Sequence, residues 1–222
     1  MAGMGSETEI EEGALFATQL FSRQLPASES AALNAALLFA IKDLFEADRT
    51  GIERSNLRAL GGWHSQLGLH RQPAFAPLVT HIDAFAAEIS RRNGYSTRHR
   101  LAITGMWAIV NAPGSYNQTH VHPGSHWSGA YYVQAPEGSG DITFTDPRTE
   151  AMMQPLLHEG PRPEALRHHV SVPPVAGRML MFPSWLQHGV KPNLSRARGG
   201  AAERVVTSFN LSQQPLSGPP AA

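Results

Sequence analysis

Cysteine is absent from the 222 residues. That excludes disulfides and thiolate–metal sites, so any bound metal must be held by nitrogen and oxygen donors. An excess of one charge is missing as well, because Lys+Arg 18 and Asp+Glu 18 cancel to zero. Nucleic-acid binders usually carry a basic excess or stripe. The one basic cluster, Arg91, Arg92, Arg98, His99 and Arg100, reads as a solvated face or helix end. No apolar run approaches the length of a membrane span. The leading MAGMGSETEIEEG is acidic and polar, unlike a targeting peptide. The expectation is a cytoplasmic protein that binds neither nucleic acid nor membrane.

What is present suits a globular domain. Hydrophobic residues make up 41% of the chain, and this length allows one sizeable core. Residues 1–12 read as a flexible lead. Short apolar bursts over 15–25 suggest a strand that Pro26 stops. SESAALNAALLFAIKDLFEADRTG follows, with Leu33, Leu37, Ile41 and Leu44 at helical spacing. Ser28 or Ser30 is its candidate cap and Gly51 its stop. A second helix is expected over about 74–92, with Phe75, Leu78, Ile82, Phe85 and Ile89 on one face and Asn93-Gly94 ending it.

After residue 100 helical periodicity gives way to runs rich in Val, Ile, Tyr, Phe and Trp, broken by Gly, Pro, Asn and Ser. The runs are roughly 101–111, 116–122, 127–135, 140–145, 168–173, 177–183, 187–192 and 203–212. Eight short strands predict a mainly β fold, a double-stranded β-helix (jelly roll, cupin-like) with N-terminal helices packed outside the sheet. The expected organisation is one domain over 13–212, with a helical layer at about 26–95 and a jelly-roll core at about 101–212. Residues 213–222 read as a disordered tail. The stretch 148–167 reads as a long loop at the rim of a site, and together with residues 52–74 it is expected to shape the pocket.

The chain has 11 histidines, and their placement matters more than their number. THVHPGSHWSG holds His120, His122 and His126, and FPSWLQHGV holds His188. In an extended strand, residues i and i+2 point to the same side, so His120 and His122 can present two imidazoles to one point. His188 from a distant strand would complete three ligands on one face of an octahedral ion, leaving positions open for a co-substrate and O₂. A lone HxH is more often surface filler. Here Trp127, Tyr131 and Tyr132 lie beside it, and an arginine follows on the next strand. Arg204, Val206, Ser208 and Asn210 share one strand face. A guanidinium inside a barrel is costly unless it meets an anion. A dicarboxylate co-substrate is one such anion, and Asp146 or Asp141 would be a structural alternative.

Assembled, these residues give HxHP…WSGxYYV…FPSWLxHxV…RxxxSFN. The pattern resembles the bacterial 2-oxoglutarate/Fe(II)-dependent oxygenases related to the prolyl-hydroxylase-like group. The resemblance begins at LFATQLF, includes SNLRALGGWHS at 55–65, and is densest from MWAIVNAPGSYNQTHVHPGSHWSGAYYV to RVVTSFNLS. It implies Fe(II), with 2-oxoglutarate and O₂ as co-substrates. His120 and His188 match the two metal histidines. His122 stands where better-known relatives have an acid, which leaves the metal one more unit of positive charge. Asp146 is a candidate substitute ligand, and His126 is held as exposed or as a supporting residue. Arg204 matches the arginine that grips the distal carboxylate of 2-oxoglutarate, with Tyr132 sharing that role. Ser208 and Asn210 are expected deeper in the barrel, and Asn111, Tyr116 and Asn117 along the site wall. Trp107, Trp127 and Trp185 are expected in core or rim. Trp63-His64 suits packing and pocket wall equally.

The expected reaction is oxidation, with hydroxylation foremost, of an unactivated C–H bond, giving succinate and CO₂ as co-products. The expected partner is a small molecule, an amino acid or biosynthetic intermediate before a protein. A homodimer is compatible with the sequence. Two rivals share the architecture: a three-histidine cupin-type dioxygenase without 2-oxoglutarate, and a non-enzymatic ligand-binding jelly roll.

Overall fold

The computed structural model describes residues 13, 15–153, 157–163 and 166–216. Two antiparallel sheets face each other, and two helices cover the outer face of the larger one. The larger sheet runs in the order β1(Phe21–Gln24), β8(Arg178–Pro183), β5(Trp127–Gln134), β10(Arg204–Pro215), β3(His99–Asn111), β2(Gly62–His64). The smaller runs β4(Asn117–His120), β9(His188–Val190), β6(Ile142–Thr145), β7(His169–Val172). This is the jelly roll that the sequence predicts, and all eight expected runs after residue 100 become strands.

Alternation along the central strands divides the molecule into two apolar layers. Trp127, Tyr131 and Val133 of β5, Met179 and Met181 of β8, and Val205, Phe209 and Leu211 of β10 face outward. They pack with Leu33, Leu37 and Ile41 of α1(Ala27–Ala47) and with Leu78, Ile82, Phe85 and Ile89 of α2(Ala76–Arg92). The intervening residues Ala130, Tyr132, Leu180, Phe182 and Val206 face inward, against Ile142 and Phe144 of the smaller sheet. The adjacent tyrosines therefore serve opposite layers. Tyr131 donates its hydroxyl to Asn34 Oδ1 on α1 at 2.7 Å, whereas Tyr132 points into the barrel.

Several boundaries differ from expectation. Only Phe21–Gln24 of the first predicted strand pairs with a neighbour, β8. Neither Ser28 nor Ser30 caps α1. The helix starts after Pro26 without a side-chain cap, and Ser30 lies inside its first turn. Strand β2 was not foreseen. It pairs Gly62, Trp63 and His64 with Asn111, Val110 and Ile109. At the other end β10 continues to Pro215, so residues 213–215 extend the sheet where a tail was expected. Residues 1–12 and 217–222 lie outside the described residues. Arg91 and Arg92 close α2 as surface ion pairs with Glu88, in keeping with a solvated helix end.

Candidate active site

The two sheets bring together side chains that lie far apart in sequence. His120 on β4 is the direct cross-strand partner of His188 on β9. That register explains why their rings approach, with centroids 4.4 Å apart. His122 lies beyond the end of β4, so the expected strand alternation does not place it. Its backbone N–H is instead tied to the Ser184 carbonyl at 2.9 Å. Its ring sits 5.0 Å from that of His120 and 5.1 Å from that of His188. One nitrogen from each ring lies within 4.8 Å of those from the other two.

Each histidine uses its Nδ1 on an oxygen. His120 Nδ1 is 2.7 Å from Gln118 O, and His188 Nδ1 is 2.8 Å from Leu186 O. A carbonyl only accepts, so both rings carry their proton on Nδ1 and leave the Nε2 lone pair free. His122 Nδ1 is 2.7 Å from Asn210 Oδ1 and 3.0 Å from Ser128 Oγ. Ser128 donates to the same Asn210 oxygen at 2.9 Å and touches Ser184 Oγ at 2.8 Å. A carboxamide oxygen with two donors thus orients His122. Burial holds the imidazoles in the neutral, metal-binding form. It lowers the pKa of His120 and His122, and lowers that of His188 to about 3, with the neighbouring His120 adding to the effect. Phe182 and Phe144 back the His188 ring, with centroids 4.7 and 6.2 Å away.

The triad opens into a cavity of about 520 Å³, within the range of roughly 300–1,000 Å³ typical of small-molecule sites. Arg204 lies along the same strand face as Val206, Ser208 and Asn210, and all four line this cavity. Only 1% of Arg204 is exposed. Its Nη1 is directed at the carbonyls of Ser139, Gly140 and Lys191. Gly140 makes that carbonyl cradle feasible, since its φ is +89° and a Cβ there would meet Lys191 O at 2.2 Å. Neither expected acid neutralises the arginine. Asp141 is paired with Lys191 and Asp146 with Arg148. Arg204 Nη2 is buried without a hydrogen-bond partner among the described residues. Burial lowers the guanidinium pKa to about 10, against the effect of the nearby Tyr132. Tyr132 lines the cavity, and burial pushes its phenol up to about 12. An oxyanion is the group that would satisfy this corner.

The other sequence-based assignments divide. Asn111, Asn117 and Ser208 line the cavity, whereas Tyr116 does not. Asn111 keeps both amide atoms buried and unpartnered among the described residues, a further unsatisfied polar group in the wall. Asp146 fails as a substitute ligand. It stands outside the cavity lining, and both its oxygens accept from Arg148, which depresses its pKa. His126 is exposed and contacts the Gln213 N–H. The Trp63-His64 pair splits in function. Trp63 is core and donates Nε1–H to Asp48 O at 2.7 Å, while His64 lines the cavity, stacked 5.6 Å from Trp107. Trp107 is therefore wall, Trp127 core, and Trp185 exposed and outside the cavity lining. Among the described residues, 148–167 contributes nothing to the lining, contrary to expectation, but Arg54, Ser55, His64 and Leu67 do. Sequence reasoning missed Ser128, Ser184 and Arg54, and assigned Asn210 to the co-substrate although its side chain engages His122.

Residues 105–210, which contain the three histidines and Arg204, match the family model described as "Putative 2OG-Fe(II) oxygenase". Among solved structures the chain resembles a Pseudomonas putida prolyl-4-hydroxylase, with TM-score 0.54, 16% identity, and 88% of this chain and 93% of that one covered. It also resembles the non-heme alpha-ketoglutarate-dependent carbocyclase SnoK from nogalamycin biosynthesis, with TM-score 0.60, 13% identity and coverage of 87% and 79%. A third similar structure is HygX from Streptomyces hygroscopicus with nickel, 2-oxoglutarate and hygromycin B bound, with TM-score 0.55, 13% identity and coverage of 88% and 83%. No curated protein matches the sequence. Identities this low speak for the shared fold, which agrees with the jelly roll described above.

Proposed function

We propose that this chain is a 2-oxoglutarate- and Fe(II)-dependent oxygenase, as the family model matched by its residues 105–210 suggests, and that it hydroxylates an unactivated C–H bond of a small organic molecule. One observation carries the reading: three imidazoles with free Nε2 atoms converge in the same cavity as a buried arginine that has no acid partner. In this reading His120, His122 and His188 are the residues that would hold the iron. Arg204, assisted by Tyr132, grips the distal carboxylate of 2-oxoglutarate through its unsatisfied Nη2. Bound together, iron and 2-oxoglutarate supply oxidative decarboxylation coupled to C–H oxidation, with succinate and CO₂ as co-products.

The chain's own contribution is orientation and charge. Nδ1 partners fix each imidazole tautomer. The carbonyls of Ser139, Gly140 and Lys191 hold Arg204 in place, and the apolar inner layer backs the site. A cavity of about 520 Å³ suits a small molecule better than a folded protein surface, and an amino acid or biosynthetic intermediate fits that scale. Structural neighbours described as a carbocyclase and an epimerase occupy the same fold, so hydroxylation is the proposed outcome of a more general oxidative apparatus. The three-histidine cupin reading has the ligand set in its favour, but it leaves Arg204 without a role. The test is aerobic incubation of the Fe(II) protein with 2-oxoglutarate and a panel of small molecules. Succinate formation should require both additions, and one panel member should gain an oxygen atom by mass spectrometry. Absence of succinate under all conditions, with iron bound, would sink the proposal.

A further inference from the structure

The wall of the cavity contains no aspartate or glutamate among the described residues, although the chain has 18 acids and zero formal net charge. Its fixed charges are two guanidiniums, Arg204 in the interior and Arg54 near the histidines. The usual acidic metal ligand is replaced here by His122, so the metal set brings no negative charge either. If Arg204 takes the distal carboxylate of 2-oxoglutarate, that dianion and Fe(II) balance each other, and both guanidiniums remain as surplus positive charge.

The backbone at Arg54 is held in place, and its exposed side chain lies at the cavity wall. The backbone N–H of Arg54 donates to Asn56 Oδ1 at 2.9 Å. Asn56 is fully buried, donates to Ile52 O and Gly62 O at 3.1 Å each, and bridges to Asn117 at the start of β4. Ser55, between Arg54 and Asn56, accepts from the Gln118 N–H at 2.8 Å and from Asn117 Nδ2 at 3.1 Å. The segment bearing Arg54 is thus pinned to the strand that carries His120. Arg54 lines the same cavity as His64, His120 and His122. Its neighbour Glu53 is occupied by Arg58, and the Arg54 side chain itself makes no ion pair among the described residues. The rest of the wall includes Trp107, Ile109, Ile142 and Val206, which would accept an apolar body.

We infer that the primary substrate is an acid, a small molecule with an apolar body and a carboxylate or phosphate that Arg54 holds beside the metal. This rests on the oxygenase reading above and names the substrate class for that site. Two donors of a planar guanidinium match two oxygens of either anion, and the apolar wall would then present a C–H bond to the metal at a set distance from the anionic end.

The test uses the full chain loaded with redox-inactive Ni(II), with 2-oxoglutarate present at saturation, and calorimetry with matched pairs. These are N-acetyl-L-leucine against its amide, hippurate against hippuramide, and phenyl phosphate against phenol. At least one anion should bind about tenfold or more tightly than its neutral partner, the scale of a charge-assisted hydrogen bond. Arg54→Gln should remove that preference while the affinities for Ni(II) and 2-oxoglutarate stay at wild-type values. Arg54→Lys should restore part of it. The first two pairs against the third separate a carboxylate from a phosphate. No anion preference in any pair, or a preference that persists in Arg54→Gln, overturns the inference. If 2-oxoglutarate itself fails to bind the Ni(II) protein, the oxygenase reading fails separately, and the same pairs titrated into the Ni(II) protein alone still decide the role of Arg54.

Discussion

Replacing Asn210 with alanine isolates the feature that makes a three-histidine site workable. In the folded chain Asn210 Oδ1 accepts from His122 Nδ1 at 2.7 Å and from Ser128 Oγ at 2.9 Å. Removing it leaves His122 Nδ1 with one remaining partner, the Ser128 hydroxyl at 3.0 Å, and frees the ring to turn or to change tautomer. Loss of a partner that orients a metal-bound histidine typically weakens metal affinity by about 10- to 100-fold, or roughly 1.4–2.8 kcal/mol. Because Ser128 still offers an acceptor, Asn210→Ala should fall near the lower end, and Asn210→Ala/Ser128→Ala near the upper. Asn210→Asp retains the acceptor and adds negative charge, so it should bind metal at least as well as wild type. His120 and His188 keep their carbonyl partners in all three variants. Competition between the protein and a chromophoric chelator for Ni(II) or anaerobic Fe(II) gives the affinities directly. The reasoning is refuted if Asn210→Ala holds metal as tightly as wild type and loses 2-oxoglutarate affinity instead. That result would return Asn210 to the co-substrate role suggested by its place on the Arg204 strand face.

Other outcomes follow from the same geometry. Arg204→Met should weaken 2-oxoglutarate binding by about 10- to 150-fold, the equivalent of a charge-assisted bond of roughly 1.5–3 kcal/mol, while the metal stoichiometry measured by mass spectrometry stays unchanged. Burial lowers His64 from 6.5 to about 4, so between these values the unfolded chain binds the extra proton and the fold does not. Stability of the metal-free protein should therefore fall as pH drops from 6.5 toward 4, by at most about 3 kcal/mol from this group. His64→Gln should flatten that part of a plot of Tm against pH, and an unchanged slope would count against the assignment. Tyr131→Phe should cost about 0.5–1.5 kcal/mol in urea unfolding through loss of the bond to Asn34, without altering metal or 2-oxoglutarate affinity.

Much of the fold is legible in the sequence because periodicity records which face is buried. Leu33, Leu37 and Ile41 mark the inner face of α1, and the alternation in WSGAYYVQ and RVVTSFNL separates the helix-covered layer from the barrel interior. Strand β2 was hidden because three residues are too few to show alternation, and GWH is a strand only through pairing with β3. The three converging histidines are legible for a partly different reason from the one that places them. His120 and His188 meet through cross-strand register, whereas His122 is set by Ser184 and Asn210 from beyond the strand. Those partners lie 62 and 88 residues from His122, a separation that no local pattern encodes. Asp146 is committed to a neighbouring arginine and not to the triad. The adjacent DPR sequence already contained its true partner, Arg148, two residues away. Arg54 drew no attention because an arginine in a polar segment has an ordinary appearance until the fold shows that the cavity wall beside it lacks acids.

The central claim is that the three histidines hold iron in the same cavity in which Arg204 receives 2-oxoglutarate. Its most direct test is visible absorption of the anaerobic Fe(II) protein during titration with 2-oxoglutarate. A weak charge-transfer band should grow to saturation at one equivalent, should be lost in His188→Ala together with the metal, and should require much more 2-oxoglutarate in Arg204→Met. A protein that retains Fe(II) yet develops no band at any 2-oxoglutarate concentration would contradict the account.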